Sequence, residues 1–363
     1  MKNWQLLYSL AWIQLVVHAT CAHAGPVEDL AQRDTSLWAP ATLQCAVELP
    51  AEGEGVYSVC PEDKTMCFPG EGRSSPIGDK AICNDGDMTL FLALLCLAGY
   101  HEGCDGVSAA QNRVTGQWYR SPRLAAYPRL RTLNSSSPDM GLGILLWAAL
   151  EPKSRKQQLS WWIDWIARNQ RCVTEGCQKR HPRFCPDDDV DGDPEAVKGC
   201  VFRPGDLATL AFAVDILKIN VRDKNLRRAL SAWKKTQEAW LNANPVVNWK
   251  GYSTHLIAVN ILVLWKLGVS YPSLDKAAEA LAKDNDQNAF FAWLANKPAD
   301  VVSKLALAKC PASEKELPPK NSREDWIWQR GDKSDANKKT MLWDCRFVAG
   351  LIKNNVSRKG SVK

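Results

Sequence analysis

The sequence predicts an all-α protein built from two layers of helices, and three observations lead to this prediction. Five segments share one form, a polar residue suited to a helix N-terminus followed by a run of mostly apolar residues. Amphipathic segments alternate with them, and strand-like patterns are sparse and confined mainly to the first 80 residues. A helix that is apolar all round, yet too short to cross a membrane, is buried on every side. The five segments are therefore predicted to form an inner layer.

The two predicted layers differ in where their polar residues lie. The inner segments cover residues 86–99, 138–150, 205–219, 254–268 and 343–352, and in the first four of them apolar residues occupy nearly the whole helix surface. The outer segments each have one polar and one apolar face and cover residues 154–168, 224–241 and 274–296. An apolar helix followed by an amphipathic one, repeated along the chain, indicates helical hairpins packed as two concentric layers.

Composition and charge limit the classes of function. The 363 residues are 45% hydrophobic and 24% charged, which is typical of a folded globular protein. The 46 basic and 40 acidic side chains give a net charge of +6, and no basic stripe alternates with aromatic residues. This pattern argues against a nucleic-acid partner. Sixteen Trp against five Met is an unusual ratio and a first indication of function.

The N-terminus has the form of a secretory signal peptide over residues 1–24. Lys2 supplies the positive start, residues 6–17 are mostly apolar, and Ala22-His23-Ala24 gives the small-x-small pattern before Gly25. A membrane anchor is the alternative, but the apolar run is short for a span of about 20 residues. We expect export to the periplasm or the medium of a bacterial host, with no stable membrane insertion.

Three further regions follow the predicted signal peptide. Residues 25–80, which are rich in Pro and Gly, form an irregular, disulfide-rich N-terminal segment, and residues 81–355 form the helical domain. Residues 356–363 form a basic tail that is expected to be a disordered end.

The cysteines agree with export. Removal of Cys21 with the signal peptide leaves 12 of the 13 cysteines, and an even number in an exported chain suggests disulfides. A metal site is the weaker interpretation, because no C-x-x-C occurs. The sequence does not fix the connectivity, but spacing offers four local pairs: Cys60 with Cys67, Cys96 with Cys104, Cys185 with Cys200, and Cys310 with Cys345.

The alternation of apolar and amphipathic helices resembles the (α/α) toroid of many glycoside hydrolases and polysaccharide lyases. The resemblance is one of architecture, covers roughly residues 80–355, and includes no specific family signature. It implies parallel inner helices whose N-termini gather around one substrate cleft. An α-solenoid or a plain bundle used for binding is the alternative.

In a toroid the polar first residues of the inner helices would converge on one rim. These residues are Asp87, Asp139, Asp206, His255 and Asp344, with Asp85 just upstream. Each Asp alone is explained as an N-cap, because its carboxylate accepts the free amide hydrogens of the first turn. Together they make an acidic cavity, which capping does not require.

Glycoside hydrolysis needs two carboxyl groups, one protonated and one ionised. Inverting enzymes hold them about 6.5–9.5 Å apart, a separation that two neighbouring helix N-termini can supply, since packed helix axes lie about 8–10 Å apart. Repulsion between Asp85 and Asp87 favours one of them as the general acid. Asp139 is the preferred base, with Asp206 as its substitute and Asp344 as a further cleft residue.

Loop residues around this rim are candidate substrate contacts. Trp118, Tyr119 and Arg120 lie between the first two inner segments, where the rings can stack on sugars and Arg120 can bind a carboxylate or hydroxyls. Packing of the two rings against the base of the cavity is the alternative. Tyr252 and His255 begin the fourth inner segment and are also expected to face the cleft.

Two other functions remain open. In a polysaccharide lyase, Tyr252 or His255 would abstract a proton while Arg120 and Asn134 neutralise a uronate. A ring of Asp residues repels an acidic polymer, so hydrolysis of a carbohydrate polymer is favoured over elimination. A non-catalytic secreted glycan-binding or effector protein is the alternative from another class.

An acidic run offers a candidate metal site. Asp187, Asp189, Asp191 and Gly192 match the opening of a calcium loop, and Asp193 falls at the position whose carbonyl binds the ion. Lys198 replaces the bidentate Glu that ends such loops. The run predicts either a structural calcium site completed from elsewhere or a solvated acidic loop, and the proposed chemistry requires no cofactor.

Overall fold

The computed structural model describes residues 25–42, 48–50, 56–58, 74–77, 80–83, 88–122, 125, 137–172, 180–181, 202, 204–243, 252–317 and 342–360. The described part is mainly helical, as predicted. The helices are α1 (Pro26–Arg33), α2 (Ala39–Thr42), α3 (Met88–Leu97), α4 (His101–Ala109), α5 (Pro138–Leu150), α6 (Pro152–Arg168), α7 (Pro204–Ile216), α8 (Lys224–Ala243), α9 (Tyr252–Lys266), α10 (Pro272–Asp284), α11 (Ala289–Leu294), α12 (Ala299–Leu307) and α13 (Leu342–Lys353).

Short strands and turns complete the described elements. Three antiparallel pairs of strands are β1 (Glu48–Pro50) with β2 (Val56–Ser58), β3 (Ser74–Ile77) with β4 (Lys80–Cys83), and β5 (Arg171–Cys172) with β6 (Arg180–His181). A π-helical turn, Asp34–Trp38, joins α1 to α2. A 3-10 turn spans Glu314–Glu316.

All five predicted inner segments are helices, namely α3, α5, α7, α9 and α13. Every side chain of α3 is buried, as expected for a helix that is apolar all round. The inner helices contact one another through the pairs α3–α5, α5–α7, α5–α9, α7–α9 and α3–α13. The helices α4, α6, α8 and α10 each pack on the inner helix that precedes them in the chain.

The prediction of one amphipathic helix over residues 274–296 is wrong, because the structure has two helices there, α10 and α11. The first ends at Asp284, and the second begins after Asn288, whose side-chain oxygen accepts a hydrogen bond from the Phe291 amide at 3.1 Å. This cap starts a new helix in which all six side chains are buried. The short helix α11 is therefore a sixth apolar helix, and α12 packs on it.

Helices α3 and α13 run parallel. Near their N-termini Phe91 stacks on Trp343, with 4.5 Å between the ring centroids. Near their C-termini Gly350 is so close to Ala98 that an added Cβ would lie 2.8 Å from the Cβ of Ala98. Since the two contacts occur in the same order along α3 and along α13, the two helices point the same way.

Helices α3 and α5 also run parallel. In the N-terminal halves of the two helices, Gly143 of α5 lies against the backbone of Leu90 of α3. At the other end Arg155, in the first turn of α6, donates to the carbonyl of Trp147 at 2.5 Å and lies 3.6 Å from Cys96 Sγ. The C-terminal ends of the two helices are therefore neighbours.

The close approach at Gly143 predicts a steric effect on stability. An Ala Cβ there would lie 2.6 Å from Leu90 Cα and 2.8 Å from the Thr89 carbonyl oxygen, and neither backbone atom can rotate away. We expect Gly143→Ala to lower the free energy of unfolding by about 1–3 kcal/mol in urea denaturation, although Ala favours helix. Gly143→Ser should cost more, and an Ala variant as stable as the parent would contradict the close contact.

The N-terminal segment, predicted to be irregular over residues 25–80, is helical over residues 26–42. Pro26 at the first turn and acidic residues at positions 28 and 29 favour the start of α1. The indole of Trp38, fully buried, donates to the Pro311 carbonyl at 2.9 Å. Asp34 accepts a hydrogen bond from Tyr100 at 2.7 Å. These contacts attach the N-terminal helices to the turn between α3 and α4 and to the chain after α12.

Two predicted disulfides are confirmed, Cys96–Cys104 and Cys310–Cys345. The first joins the end of α3 to α4, and the second joins the chain after α12 to the first turn of α13. The other two predicted pairs lie outside the described residues. Disulfides fit a protein that is not cytoplasmic. Of the helices described, none combines the length and the apolarity needed to span a membrane.

The expectation of a disordered C-terminal end is wrong as far as Gly360. The amide of Gly360 donates to the Trp265 carbonyl at 3.0 Å, and Arg358 donates to the Leu294 carbonyl at 2.7 Å while its guanidinium lies 5.7 Å from the Trp265 ring centroid. The ends of helices leave carbonyl oxygens without partners, and these donors satisfy some of them. The tail therefore covers the C-terminal ends of α9 and α11.

Candidate functional site

The candidate site is the set of polar residues in the first turns of the apolar helices. Asp139, Asp206, His255 and Asp344 occupy the beginnings of α5, α7, α9 and α13. The parallel pairs α3–α5 and α3–α13 place two of these helix starts at one end of the molecule. The tail that follows α13 contacts the C-terminal ends of α9 and α11, so these two helices point the same way as α13. Helix α7 shares this direction, because it runs parallel to α9.

A buried hydrogen-bond network joins α7 to α9. The Asn260 amide nitrogen donates to Asp206 Oδ1 at 3.2 Å, and the Thr209 hydroxyl donates to Asn260 Oδ1 at 2.7 Å. All three side chains are almost fully buried. Further along, Phe212 meets Tyr271, which lies beyond the end of α9, with 6.3 Å between the ring centroids. Helices α7 and α9 are therefore parallel, and Asp206 is held in a fixed position by a neutral donor.

His255 occupies the first turn of α9 with no exposed surface. Its ring lies 5.1 Å from the Phe291 ring and 5.9 Å from the Phe290 ring, which places the start of α9 beside the start of α11. Burial lowers the pKa of the imidazole to about 3. The side chain is therefore neutral at ordinary pH and is a weak proton acceptor.

The low pKa of His255 predicts a pH dependence of stability. The unfolded chain binds a proton at His255 below about pH 6.5, whereas the folded chain does so only near pH 3. As the pH is lowered between these values, the free energy of unfolding should fall by about 1.4 kcal/mol for each pH unit on account of this residue. In urea denaturation from pH 7 to pH 4, the stability difference between the parent and His255→Gln should shrink steadily.

The exposed His101, at the start of α4, provides the matched control. The variant His101→Gln removes an imidazole on the surface and is the comparison over the same range. A stability difference between the parent and His255→Gln that stays constant from pH 7 to pH 4 would contradict the assignment of a neutral buried imidazole.

Asp344 lies in the first turn of α13 and is 1% exposed. Its neighbours in sequence fix its position, because Trp343 stacks on Phe91 and Cys345 is bonded to Cys310. A second contact between α13 and its surroundings is the edge-to-face pair of Phe347 and Phe290, 5.1 Å between centroids. Asp344 is thus held between the helix starts of α3 and α11.

Asp139 is in the first turn of α5 and is half-buried. The N-cap of this helix is Ser137, whose hydroxyl accepts the Met140 amide at 3.2 Å. The capping interpretation of Asp139 is therefore unnecessary, since another side chain performs that role. Asp139 is the most accessible of the described carboxylates at these helix starts.

The aromatic loop residues are part of the core. Trp118 is fully buried, donates to the Val107 carbonyl at 2.6 Å, and meets the Trp147 ring edge to face at 5.5 Å. Tyr119 is 3% exposed, and its hydroxyl donates to the Gln117 side chain at 3.0 Å. Both rings therefore pack inside the protein and present little surface to a ligand, so the expectation that they contact the substrate is wrong.

Arg120 lies beside the start of α3. Its carbonyl oxygen accepts both the amide of Thr89, at 2.7 Å, and the Thr89 hydroxyl, at 2.9 Å. The Tyr119 carbonyl also accepts the Thr89 hydroxyl, at 2.7 Å. The half-buried Arg120 is thus positioned at the same end of the molecule as the other candidate residues.

Several predicted site residues lie outside the described part of the chain. They are Asp85, Asp87, Asn134 and the acidic run with Asp187, Asp189, Asp191 and Asp193. Tyr252 is the first residue of α9, but its side chain is also outside the description. Among the residues that are described, no group of three or more His, Cys, Asp or Glu side chains is arranged to hold a metal ion.

Comparison with known proteins does not assign the chain to a family. No protein-family model, curated protein or solved structure matches it. The function is therefore inferred from the residues of the site.

Sequence reasoning missed the two neutral members of the buried network. Thr209 and Asn260 lie within apolar runs, and a polar residue inside such a run was the available signal. A buried amide needs partners, and here Asn260 finds Asp206, Thr209 and the Leu256 carbonyl, at 3.1 Å. The network fixes the orientation of Asp206 from the side of α9.

Proposed function

We propose that the protein is an exported glycoside hydrolase that cleaves a polysaccharide or oligosaccharide by an inverting mechanism. The observation that carries the proposal is the parallel alignment of the apolar helices, which brings Asp139, Asp206 and Asp344 to one end. Asp206 and Asp344 are buried and Asp139 is half-buried. At the start of α5 the cap is Ser137, so helix capping does not account for all three carboxylates at this end.

The architecture that accompanies this proposal is an (α/α) toroid in which α5 also contacts α9 across the ring. Six apolar helices, α3, α5, α7, α9, α11 and α13, would form the inner layer, with α4, α6, α8, α10 and α12 outside. Support comes from the hairpin contacts between layers and from the return contact of α13 with α3. In this arrangement the cleft lies at the N-terminal ends of the inner helices.

The roles of the carboxyl groups follow from burial. Asp139 is half-buried, and the positive end of a helix favours the ionised form, so it suits the base that activates water. Asp206 is 2% exposed and fixed by Asn260, so it is better suited to hold the starts of α7 and α9 in place, although it remains the substitute base. The general acid is proposed among Asp85 and Asp87, where the chain enters α3.

The lyase alternative is less well supported. It requires a base, and His255 with a pKa near 3 is a poor one at neutral pH. Tyr252 is its remaining candidate.

The acidic run is proposed to bind calcium only as a structural element, through Asp187, Asp189, Asp191 and Asp193. Export to the periplasm or the medium is proposed from the signal-peptide pattern.

The test is a panel of neutral and acidic polysaccharides incubated with the purified protein. New reducing ends measure hydrolysis, and ultraviolet absorbance of an unsaturated sugar measures elimination. Proton NMR of the first product then reports the anomeric configuration. New reducing ends of inverted configuration, without absorbance, are the expected result.

The other outcomes separate the alternatives. Absorbance rising together with reducing ends would replace hydrolysis by elimination and direct attention to Tyr252. Glycan binding without turnover in any member of the panel would favour a secreted binding protein. Retained configuration would overturn the inverting mechanism while leaving hydrolysis in place.

A further inference from the structure

A cavity of about 660 Å³ lies at the opposite end of the apolar helices from the candidate site. It is bounded by the end of α11, the start of α12, the end of α13 and the folded tail. One wall is apolar and includes Pro298, Ile352 and Val356. None of these residues belongs to the proposed hydrolytic site.

Three cations line this cavity, Lys297, Arg358 and Lys359, and its lining among the described residues includes no carboxylate. Lys359 pairs with Asp275 at 2.9 Å, outside the lining, and both side chains are about half exposed. Arg358 uses one nitrogen on the Leu294 carbonyl and has further N–H groups to offer. The lining therefore has more positive charge than its described partners neutralise.

Neutral donors stand beside the cations. Asn296 and Asn355 line the same cavity, and both have left-handed backbone conformations, with φ of 62° and 46°. Burial lowers the pKa of Arg358, and Asp275 opposes this shift. Burial also lowers the pKa of the neighbouring Lys266. Positive charge that neighbouring carboxylates do not neutralise, together with amide donors, is an environment that stabilises a bound oxyanion.

We propose that this cavity binds a small organic acid, in which a carboxylate or phosphate group contacts Lys297 and Arg358. The amides of Asn296 and Asn355 bind its hydroxyl groups, and the apolar wall contacts its carbon skeleton. The shared chemistry is an oxyanion on a body of monosaccharide size. The site is independent of the proposed hydrolytic activity.

The experiment is isothermal titration calorimetry of the full chain with three matched ligands, glucuronate, glucose 6-phosphate and glucose. Binding is expected for at least one of the acids and not for glucose. Lys297→Gln and Arg358→Gln should each weaken it about tenfold, because each removes a charged donor. The exposed Lys283 on α10 does not line the cavity, so Lys283→Gln should change the affinity less than twofold.

Each remaining outcome is decisive. The absence of heat with both acids, or equal binding of glucose, would overturn the proposal. Equal weakening by Lys283→Gln would show diffuse surface charge in place of a site. Because Arg358 also anchors the tail, Lys297→Gln, which changes an exposed side chain, keeps the test independent of folding. Selective binding of glucuronate or of glucose 6-phosphate identifies which acid supplies the oxyanion.

Discussion

Replacing Asp139 by Asn is expected to lower kcat by about 10²–10⁴-fold while leaving KM within a few fold. Asn keeps the shape of the side chain but cannot accept the proton of an attacking water. The fold should survive, because Ser137 caps the helix independently of Asp139. The measurement is the initial rate of reducing-end formation on the best substrate of the panel, with circular dichroism as a check on folding.

The matched control is Asp164→Asn on the outer helix α6, where the carboxylate is also half-buried. It should leave kcat unchanged. Asp206→Asn makes the same exchange in the buried network and should reduce kcat less than Asp139→Asn, because burial and Asn260 hold this side chain away from solvent. An Asp139→Asn enzyme with parental kcat would remove this residue from the mechanism and leave Asp206 as the candidate base.

Removing Arg346 is expected to have the largest effect on stability, a loss of about 3–5 kcal/mol. Its guanidinium is buried, donates to Glu102 at 3.0 Å, and lies 3.7 Å from Asp34. Without Arg346 the buried carboxylate of Asp34 retains the Tyr100 hydroxyl and the more distant ammonium of Lys353, at 3.9 Å. Urea denaturation of Arg346→Met measures the loss.

The pH dependence identifies the cause of this loss. Burial already raises the pKa of Asp34, and Arg346 opposes that shift. Without Arg346 the folded-state pKa rises further above the unfolded value of about 4, so the penalty is present at neutral pH and disappears as the pH falls toward that value. The loss in Arg346→Met should therefore shrink on acidification, whereas a purely steric loss would not.

A surface pair in the same part of the chain gives the control. Arg33 and Asp29 form an i,i+4 pair at 3.1 Å with both side chains partly exposed, so Arg33→Met should cost less than about 1 kcal/mol. In a double-mutant cycle, Asp34→Leu with Arg346→Met should be less destabilised than the sum of the single variants. Additive effects would show that the two buried groups do not depend on each other.

The sequence is sufficient to predict those parts of the fold that depend on local pattern. Apolar runs such as 88–97 predict a buried helix because period and length are properties of the segment itself. The spacing of Cys310 and Cys345 makes them a candidate pair, and the fold selects this pair from the possible connectivities. The break between α10 and α11 depends on the Asn288 cap, which competes with a continuing apolar pattern over the same residues. The cap indicates a new helix and the apolar pattern indicates a continuous one, which is why the sequence does not predict this break.

Tertiary contacts explain the other differences. The loop position of Trp118 and Tyr119 suggests ligand contact, and only the neighbouring helices show that both rings are enclosed. Asn260 is one polar residue in an apolar run, and its meaning depends on Asp206, which is 54 residues away in sequence. The tail is basic and looks solvated, yet Arg358 finds the carbonyl end of a distant helix. None of these partners can be identified from the segment alone.

The bond between Cys310 and Cys345 has a consequence for the integrity of the molecule. It joins residues that are 35 positions apart, so α13 is attached to the rest of the chain by two covalent routes. A single backbone cut anywhere between these cysteines leaves one molecule, with Asp344 still adjacent to its bonded neighbour. Such a nicked protein would migrate as one species without reductant and as two fragments after reduction. Intactness of this enzyme candidate is therefore properly judged under both conditions.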